Sequence, residues 1–338
     1  MALPPRSRDR MQSPRDWGTM PPVTSDVHKL PVQEIRRRVQ EGELPLTAQL
    51  LSKLKKDPRR GVGQLYGVLR RRFERERDER LRLDGMLNFE RVLWKSGVRR
   101  VAGVDEAGTG PLVGPVVAAA VVFEPGTEIA GIDDSKRLDP ERRLELAEEI
   151  RKQAGIGIGI AEVEEIDRLN IHQAALLAMR RALEGLSEPP EHVLVDSRRI
   201  PGVPWPQNEF DKGDGLDYSI AAASIIAKTH RDHLMDLLDR EYPGYGLARH
   251  KGYATAEHQD AIRRLGPTPA HRKSFGFLKE LCGEYSELFY GLRAELDTAH
   301  TGEALTRFED RLRSERDGLS EPEQRKLRLV LTRRWKAL

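Results

Sequence analysis

Four acidic residues occupy positions where a chain can gather chemistry. Asp105 and Glu106 stand side by side at the end of VRRVAGVDEAG, Asp196 ends the apolar run His192-Val193-Leu194-Val195, and Asp214 lies in Lys212-Gly213-Asp214-Gly215 just before a long helical stretch. Successive side chains of a strand point to opposite faces, so Asp105 and Glu106 reach one site only if the strand closes there and opens into the flexible turn Gly108-Thr109-Gly110. Taken singly, each acid is an ordinary turn or helix-start residue. Together they offer four hard oxygen ligands in one domain, a donor set suited to Mg2+ or Mn2+. Two such cations about 4 Å apart can bridge a scissile phosphate, one activating water and the other stabilising the leaving 3′ oxygen, and several carboxylates must offset their charge. Phosphodiester hydrolysis on that plan needs no histidine base.

The rest of the composition narrows the setting. Cys282 is the one cysteine, which excludes an internal disulfide or a thiolate cluster and fits a reducing, cytoplasmic location. Any metal is then held by oxygen or nitrogen. No apolar run approaches the roughly 18 residues that span a bilayer, so no membrane partner is expected. Lys and Arg number 57 against 54 acids, a balance too even to establish a polyanionic partner, which leaves that question to local basic segments. Two such segments carry an aromatic: His250-Lys251-Gly252-Tyr253, and His271-Arg272-Lys273 ahead of Phe275. That composition suits a surface that tracks phosphates and stacks on a nucleotide. On the residues alone, Tyr253 reads rather as a plug in the core before a helix that starts near Thr255.

The elements that must position these groups fall into four regions. Residues 1–28, rich in Pro, Ser and Arg and without a secretory apolar segment, predict a disordered tail. Residues 29–97 predict helices: Pro31 opens one with Val32, Ile35 and Val39 on a face, Leu50, Leu51 and Leu54 mark a second, and Leu65, Leu69 and Phe73 a third. The charge run Arg70 to Arg82 on that third helix reads as a solvated face laced with i,i+4 pairs, or as a nucleic-acid grip. Residues 98–278 alternate strands (VRRVAGVDEAG, GPVVAAAVVF, AGIGIGIAEV, HVLVDS) with helices (PERRLELAEEIRKQ, IHQAALLAMRRALEGL, YSIAAASIIAKTHRDHLMDLLDREYP), which predicts an α/β domain with a mixed or parallel sheet covered on both faces. Residues 279–338 predict a charged helical extension.

The motifs VAGVDEAGTGPLVGPVVAAAVVF, IDDSKRL, VLVDS, KGDGLDYSIAAASIIAK, HKGYAT and HRKSF follow the order and spacing of those in ribonuclease HII, and the resemblance covers about half the chain, residues 99–276. It implies a ribonuclease H-like mixed sheet flanked by helices. It implies cleavage of the RNA strand of RNA/DNA hybrids, and of ribonucleotides embedded in duplex DNA, leaving 5′-phosphate ends. By the same resemblance Asp105, Glu106, Asp196 and Asp214 surround Mn2+ or Mg2+, and Lys136, Arg272 and Lys273 look like phosphate contacts, to which the basic composition beside Tyr253 adds Lys251. Tyr253 resembles the family tyrosine that packs on the sugar past the cut, and Gly108, Thr109 and Gly110 match the turn that meets the ribose. One departure stands out: the family usually has Gly-Arg-Gly there, and Gly-Thr-Gly is the form seen in ribonuclease HIII.

Two other classes of function are compatible with parts of this pattern. A transposase or resolvase on a related fold would also cluster acids on strands, but would cut DNA that lacks ribonucleotides. A non-catalytic hybrid-binding protein would keep the basic segments and lose the carboxylates, all four of which are present. Specificity for ribonucleotide runs only, as in ribonuclease HIII, is the alternative that Thr109 raises. No protein partner is deducible.

Overall fold

The computed structural model describes residues 27–336, so the predicted tail lies, up to residue 26, outside the described residues. The chain divides into two compact units, one ending at Arg82 and one beginning at Leu83.

The first unit starts with a 3-10 turn, Val27–Lys29, followed by α1 (Val32–Gln40), α2 (Ala48–Lys55) and the long α3 (Arg60–Met86), whose last turn belongs to the second unit. Its core is built from the positions that helical spacing singles out: Ile35, Val39, Leu50, Leu51, Leu54, Leu65 and Leu69. Val27 joins them fully buried, so packing begins two residues before the predicted boundary at 29. On α3 the interleaved charges meet each other, Arg70 with Glu74 at 2.8 Å and Arg72 with Glu76 at 2.7 Å. Such exposed i,i+4 pairs contribute only a few tenths of a kcal/mol each.

The second unit runs α4 (Asn88–Lys95), β1 (Val101–Ala107), β2 (Val116–Phe123), α5 (Pro140–Gln153), β3 (Ala154–Ala161), α6 (Val163–Leu169), α7 (Ile171–Glu184), β4 (His192–Asp196) and β5 (Gln207–Phe210). It continues with α8 (Tyr218–Glu241), α9 (Leu247–His250), α10 (Ala256–Leu265), α11 (Gly276–Leu281), α12 (Glu287–Thr298), α13 (Gly302–Ser314) and α14 (Glu321–Trp335). The sheet order is β3-β2-β1-β4-β5. β1, β2 and β3 pair antiparallel, whereas β4 lies parallel to both β1 and β5, so the predicted mixed sheet is present.

Helices cover both faces. Ala102, Val104, Val193 and Val195 pack against Ala174, Ala178, Met179 and Ala182 of α7. On the other face Ala119 and Val121 meet Leu146 and Ile150 of α5 and Ala222, Ile225 and Ile226 of α8, and Leu83, Met86 and Leu87 enter the same core. Small residues let α8 lie close. A Cβ on Gly103 would stand 2.1 Å from the Ser219 carbonyl carbon, so only glycine admits this approach of β1 to the first turn of α8. Asp217 caps α8 by accepting the Ile220 N–H. Helices α12–α14 enclose a separate core around Phe289, Leu292, Phe308 and Leu327.

Three elements depart from the predicted pattern. β5 is polar and partly exposed, an edge strand with no apolar run to announce it. β3 stops at Ala161 and α6 begins at Val163, because Glu162 and Glu165 form a capping box there. β1 runs on to Ala107, with Asp105 paired to Ala119 and Glu106 to Ala118. Among the described residues no helix is long and apolar enough to cross a membrane.

Candidate active site

The two central strands bring the acids together. Parallel pairing places Val104 beside Val195, so Asp105 and Asp196 each follow one residue later on neighbouring strands. Asp214 arrives from a 3-10 turn, Gly213–Gly215, ahead of α8. The turn is tied to β4 by the Gly213 N–H, which donates to Asp196 Oδ1 at 2.7 Å. Because β1 runs one residue past Glu106, the two adjacent carboxylates leave the strand on alternate sides, yet they stay close enough for Asp105 to feel the charges of both Glu106 and Asp196. Asp105, 4% exposed, hydrogen-bonds Ser224 of α8, whose hydroxyl lies 2.8 Å from that of Ser135. Glu106 instead lines a cleft of about 200 Å³ with Thr109, Asp196, Ser197, Arg198 and the α7 residues His172, Ala175, Leu176 and Met179.

The electrostatics are those of too much negative charge in too little water. Burial foremost, then the charges of Glu106 and Asp196, push Asp105 well above the usual carboxyl range. Burial and Asp196 raise Glu106 to about 7, against the smaller pull of Lys136 and Arg198. Asp196 is raised by burial and by Asp214, with the Gly213 N–H opposing. Lys136 donates to Asp214 Oδ2 at 2.9 Å from an exposed position. Glu106 Oε2 is buried with no hydrogen-bond partner. Among the described residues no group of three or more His, Cys, Asp or Glu side chains forms a ready-made metal cage; the acids are spread over β1, the end of β4 and the turn before α8. Their chemistry nevertheless fits a divalent cation: the donors are all oxygen, one is orphaned, and mutual repulsion is what a cation would relieve.

The predicted substrate residues divide. Thr109 and Gly110 are exposed at the tip of the turn, while Pro111 to Pro115 behind them are buried. Gly108 has φ +97°, and a Cβ there would fall 2.0 Å from Arg231 Nε, so the turn requires glycine. Tyr253 does not plug the core. It is 48% exposed, with its ring beside Gly110, where a Cβ would meet Cε1 at 3.4 Å. Lys136 and Lys273 are exposed, and the Lys273 N–H is held by Asp167 at 3.0 Å.

Arg272 and Lys251 correct the prediction. Arg272 is fully buried with its guanidinium turned onto main-chain carbonyls, out of reach of a phosphate. Lys251 is engaged by Asp236 and by the Asp232 carbonyl, and its side chain is only 22% exposed against 75% for the equally paired Lys136, so it has little surface to offer a phosphate. Both sit in segments whose basic composition resembles a phosphate grip. What distinguishes them is the set of acceptors around each, brought from distant parts of the chain. The cleft residues His172, Ser197 and Arg198 are absent from the predicted set. Ser197 and Arg198 directly follow Asp196, and that adjacency is the one signal that points to them.

Residues 102–277 match the family model described as Ribonuclease HII, and residues 31–94 match that described as Ribonuclease HII N-terminal domain. A protein named Ribonuclease HII from Myxococcus xanthus (strain DK1622) is 50% identical over 254 residues, covering 75% of this chain and 87% of that protein. Another of that name, from Geobacillus kaustophilus (strain HTA426), is 50% identical over 233 residues, covering 68% and 88%. The crystal structure of the ribonuclease H2 from Pyrococcus horikoshii OT3 is 25% identical, covers 55% of this chain and 98% of that one, and superposes with a TM-score of 0.48.

Proposed function

The chain belongs to the ribonuclease HII family and is a ribonuclease H, acting on the RNA strand of RNA/DNA hybrids, and on that premise we propose a metal-dependent mechanism and a substrate range. Asp105, Glu106, Asp196 and Asp214 would hold Mg2+ or Mn2+, and the products would carry 5′-phosphate ends. The observation that supports this reading is the mutual repulsion of Asp105, Glu106 and Asp196; burial and the Asp196 charge raise Glu106 to about 7, and Glu106 keeps an oxygen without a partner. When bound, divalent cations activate water and stabilise the leaving 3′ oxygen.

The chain's own groups do the rest. Ser224 and the Glu106 N–H fix the Asp105 carboxylate, and the Gly213 N–H fixes that of Asp196. Lys136 holds Asp214 and presents its ammonium to the phosphate backbone, with Lys273 a second exposed contact. Gly108, Thr109 and Gly110 meet the ribose 2′-hydroxyl through main-chain groups, and Tyr253 packs on the adjacent sugar. The substrates include hybrids and duplex DNA with an embedded ribonucleotide. Thr109 offers no planar guanidinium for a neighbouring phosphate, so runs of ribonucleotides are cut more efficiently than a single one.

The test is hybrid cleavage titrated with Mg2+ and with Mn2+ for the wild type, Glu106→Gln, Asp196→Asn and Asp214→Asn. Glu106→Gln and Asp196→Asn should fall by about a thousandfold or more with either ion, a barrier change of about 4 kcal/mol. Asp214→Asn should recover in part with Mn2+. Near-normal turnover in Glu106→Gln or Asp196→Asn would remove the site.

A further inference from the structure

Two arginines lie wholly inside the second unit behind the exposed turn. Arg231 is 1% exposed and Arg272 0%. Arg272 donates from Nε to Gly114 O at 2.8 Å, from Nη1 to Pro111 O at 2.8 Å and Thr109 O at 3.4 Å, and from Nη2 to Gly108 O at 2.7 Å and Pro115 O at 3.2 Å. Arg231 donates from Nε to Pro115 O at 3.2 Å, from Nη1 to Lys251 O at 3.0 Å and from Nη2 to Val113 O at 3.0 Å. All eight of these hydrogen bonds end on main-chain carbonyls. Burial lowers Arg231 to about 10 and Arg272 to about 9, so the protein holds two cations where it disfavours charge. For stability alone, apolar side chains of similar volume generally serve as well or better.

What the guanidiniums uniquely do is set peptide orientation. In a trans peptide the C=O and the following N–H point to opposite sides. With the carbonyls of Gly108 and Thr109 drawn inward to Arg272, the N–H groups of Thr109 and Gly110 are turned outward. Both residues are exposed, and Thr109 borders the cleft that contains Glu106 and Asp196. The main-chain hydrogen bonds of the segment run elsewhere, from Leu112 N–H to Gly252 O and from Gly114 N–H to Ala270 O. Two successive N–H groups facing one way form a concavity for an electronegative atom. Arg231, through Lys251 O, fixes the turn that carries Tyr253 against the same segment.

We propose that Arg272, braced by Arg231, is a positioning residue for ribose selection: it touches no nucleic acid, but aims the Thr109 and Gly110 N–H groups at the 2′-oxygen while Arg231 sets Tyr253 beside them. The proposal rests on the reading that the Gly108–Gly110 turn meets the 2′-hydroxyl. Lysine at either position keeps a buried charge but cannot span the same carbonyls.

The experiment measures binding to two duplexes of one sequence, all-DNA or with one ribonucleotide, in an Asp105→Asn background so that substrate survives. Arg272→Lys and Arg231→Lys are added to it, and thermal unfolding is followed in parallel. Arg272→Lys should reduce the preference for the ribonucleotide duplex by about tenfold or more, the worth of one or two hydrogen bonds, with all-DNA affinity held within about twofold. An unchanged preference in a cooperatively melting Arg272→Lys protein overturns the proposal, as does equal weakening on both duplexes. Should Arg272→Lys not melt cooperatively, Arg231→Lys decides, with a loss of preference of about threefold expected and an unchanged preference fatal. A protein without the arginine substitutions that binds both duplexes equally would refute the underlying reading of the turn, and the assignment of both arginines with it.

Discussion

Glu90→Gln probes how the framework beneath the site is held. Glu90 on α4 and Asp217 at the start of α8 are both fully buried. Glu90 Oε1 accepts the Ser219 N–H at 3.0 Å and its hydroxyl at 2.6 Å, and Asp217 Oδ1 accepts the Ile220 N–H at 3.1 Å. The remaining oxygens, Glu90 Oε2 and Asp217 Oδ2, are buried without an N–H or O–H donor. Burial raises Glu90, and burial followed by the charge of Glu90 raises Asp217 well above the usual carboxyl range. One proton shared between the two carboxyls would serve both orphaned oxygens. A carboxyl raised in the folded state keeps a proton that the unfolded chain has lost. Its contribution is therefore complete below the unfolded value and is lost as pH rises toward the folded value. Each retained proton gives a slope of about 1.4 kcal/mol per pH unit.

Glu90→Gln keeps the Oε1 acceptor and places a permanent N–H donor where the shared proton lay. The wild type should lose stability with rising pH about one proton more steeply than the variant. The variant should gain about 1.4 kcal/mol on the wild type for each pH unit across that window. Urea unfolding followed by tryptophan fluorescence from about pH 5 to about pH 8 measures the difference, which cancels contributions from acids common to both proteins. Parallel pH profiles, or a variant less stable throughout, would refute the shared proton.

Thr109→Arg should raise cleavage at a single embedded ribonucleotide, and Tyr253→Ala should lower it more than it lowers cleavage of ribonucleotide runs; kcat/KM on both substrates checks the pair. Gly108→Ala should cost at least about 1–2 kcal/mol from the positive φ alone, and should reduce cleavage by about tenfold or more as Arg231 is displaced, read from melting and turnover together. Because Arg70 and Arg72 are paired with Glu74 and Glu76, replacing both by Gln should leave the salt dependence of hybrid binding unchanged; a slope shallower by about one or more would return α3 to the nucleic-acid surface.

Much of this was legible because the core repeats a simple physical pattern. β1, β2 and β4 lie in the middle of a sheet covered on both faces, so their apolar runs announce them, and α5, α7 and α8 show helical spacing with clear starts at Pro140, Asn170 and Asp217. Asp105, Asp196 and Asp214 are each ordinary turn or helix-start residues taken singly; they stood out as a set of hard oxygen donors, and the resemblance to ribonuclease HII named them together. β5 was not, since Gln207 to Phe210 pairs through its backbone and buries little. The strand end near Glu106 was misplaced by one residue, because pairing with β2 rather than the Gly108 turn decides where β1 stops. Arg272 was misread for a deeper reason. A guanidinium among His, Lys and Phe has the same composition whether it meets a phosphate or five carbonyls, and those carbonyls come from a segment more than 150 residues earlier.

On the function proposed, the carboxylates hydrolyse a nucleic-acid strand at ribose and not at deoxyribose. One measurement addresses it directly: two duplexes identical but for a single ribonucleotide, incubated with Mg2+ or Mn2+ and either the wild type or Asp105→Asn. The wild type should cut only the ribonucleotide duplex, leaving a 5′-phosphate, and Asp105→Asn should cut neither. Comparable cleavage of the all-DNA duplex by the wild type, or near-normal cleavage by Asp105→Asn, would contradict that function.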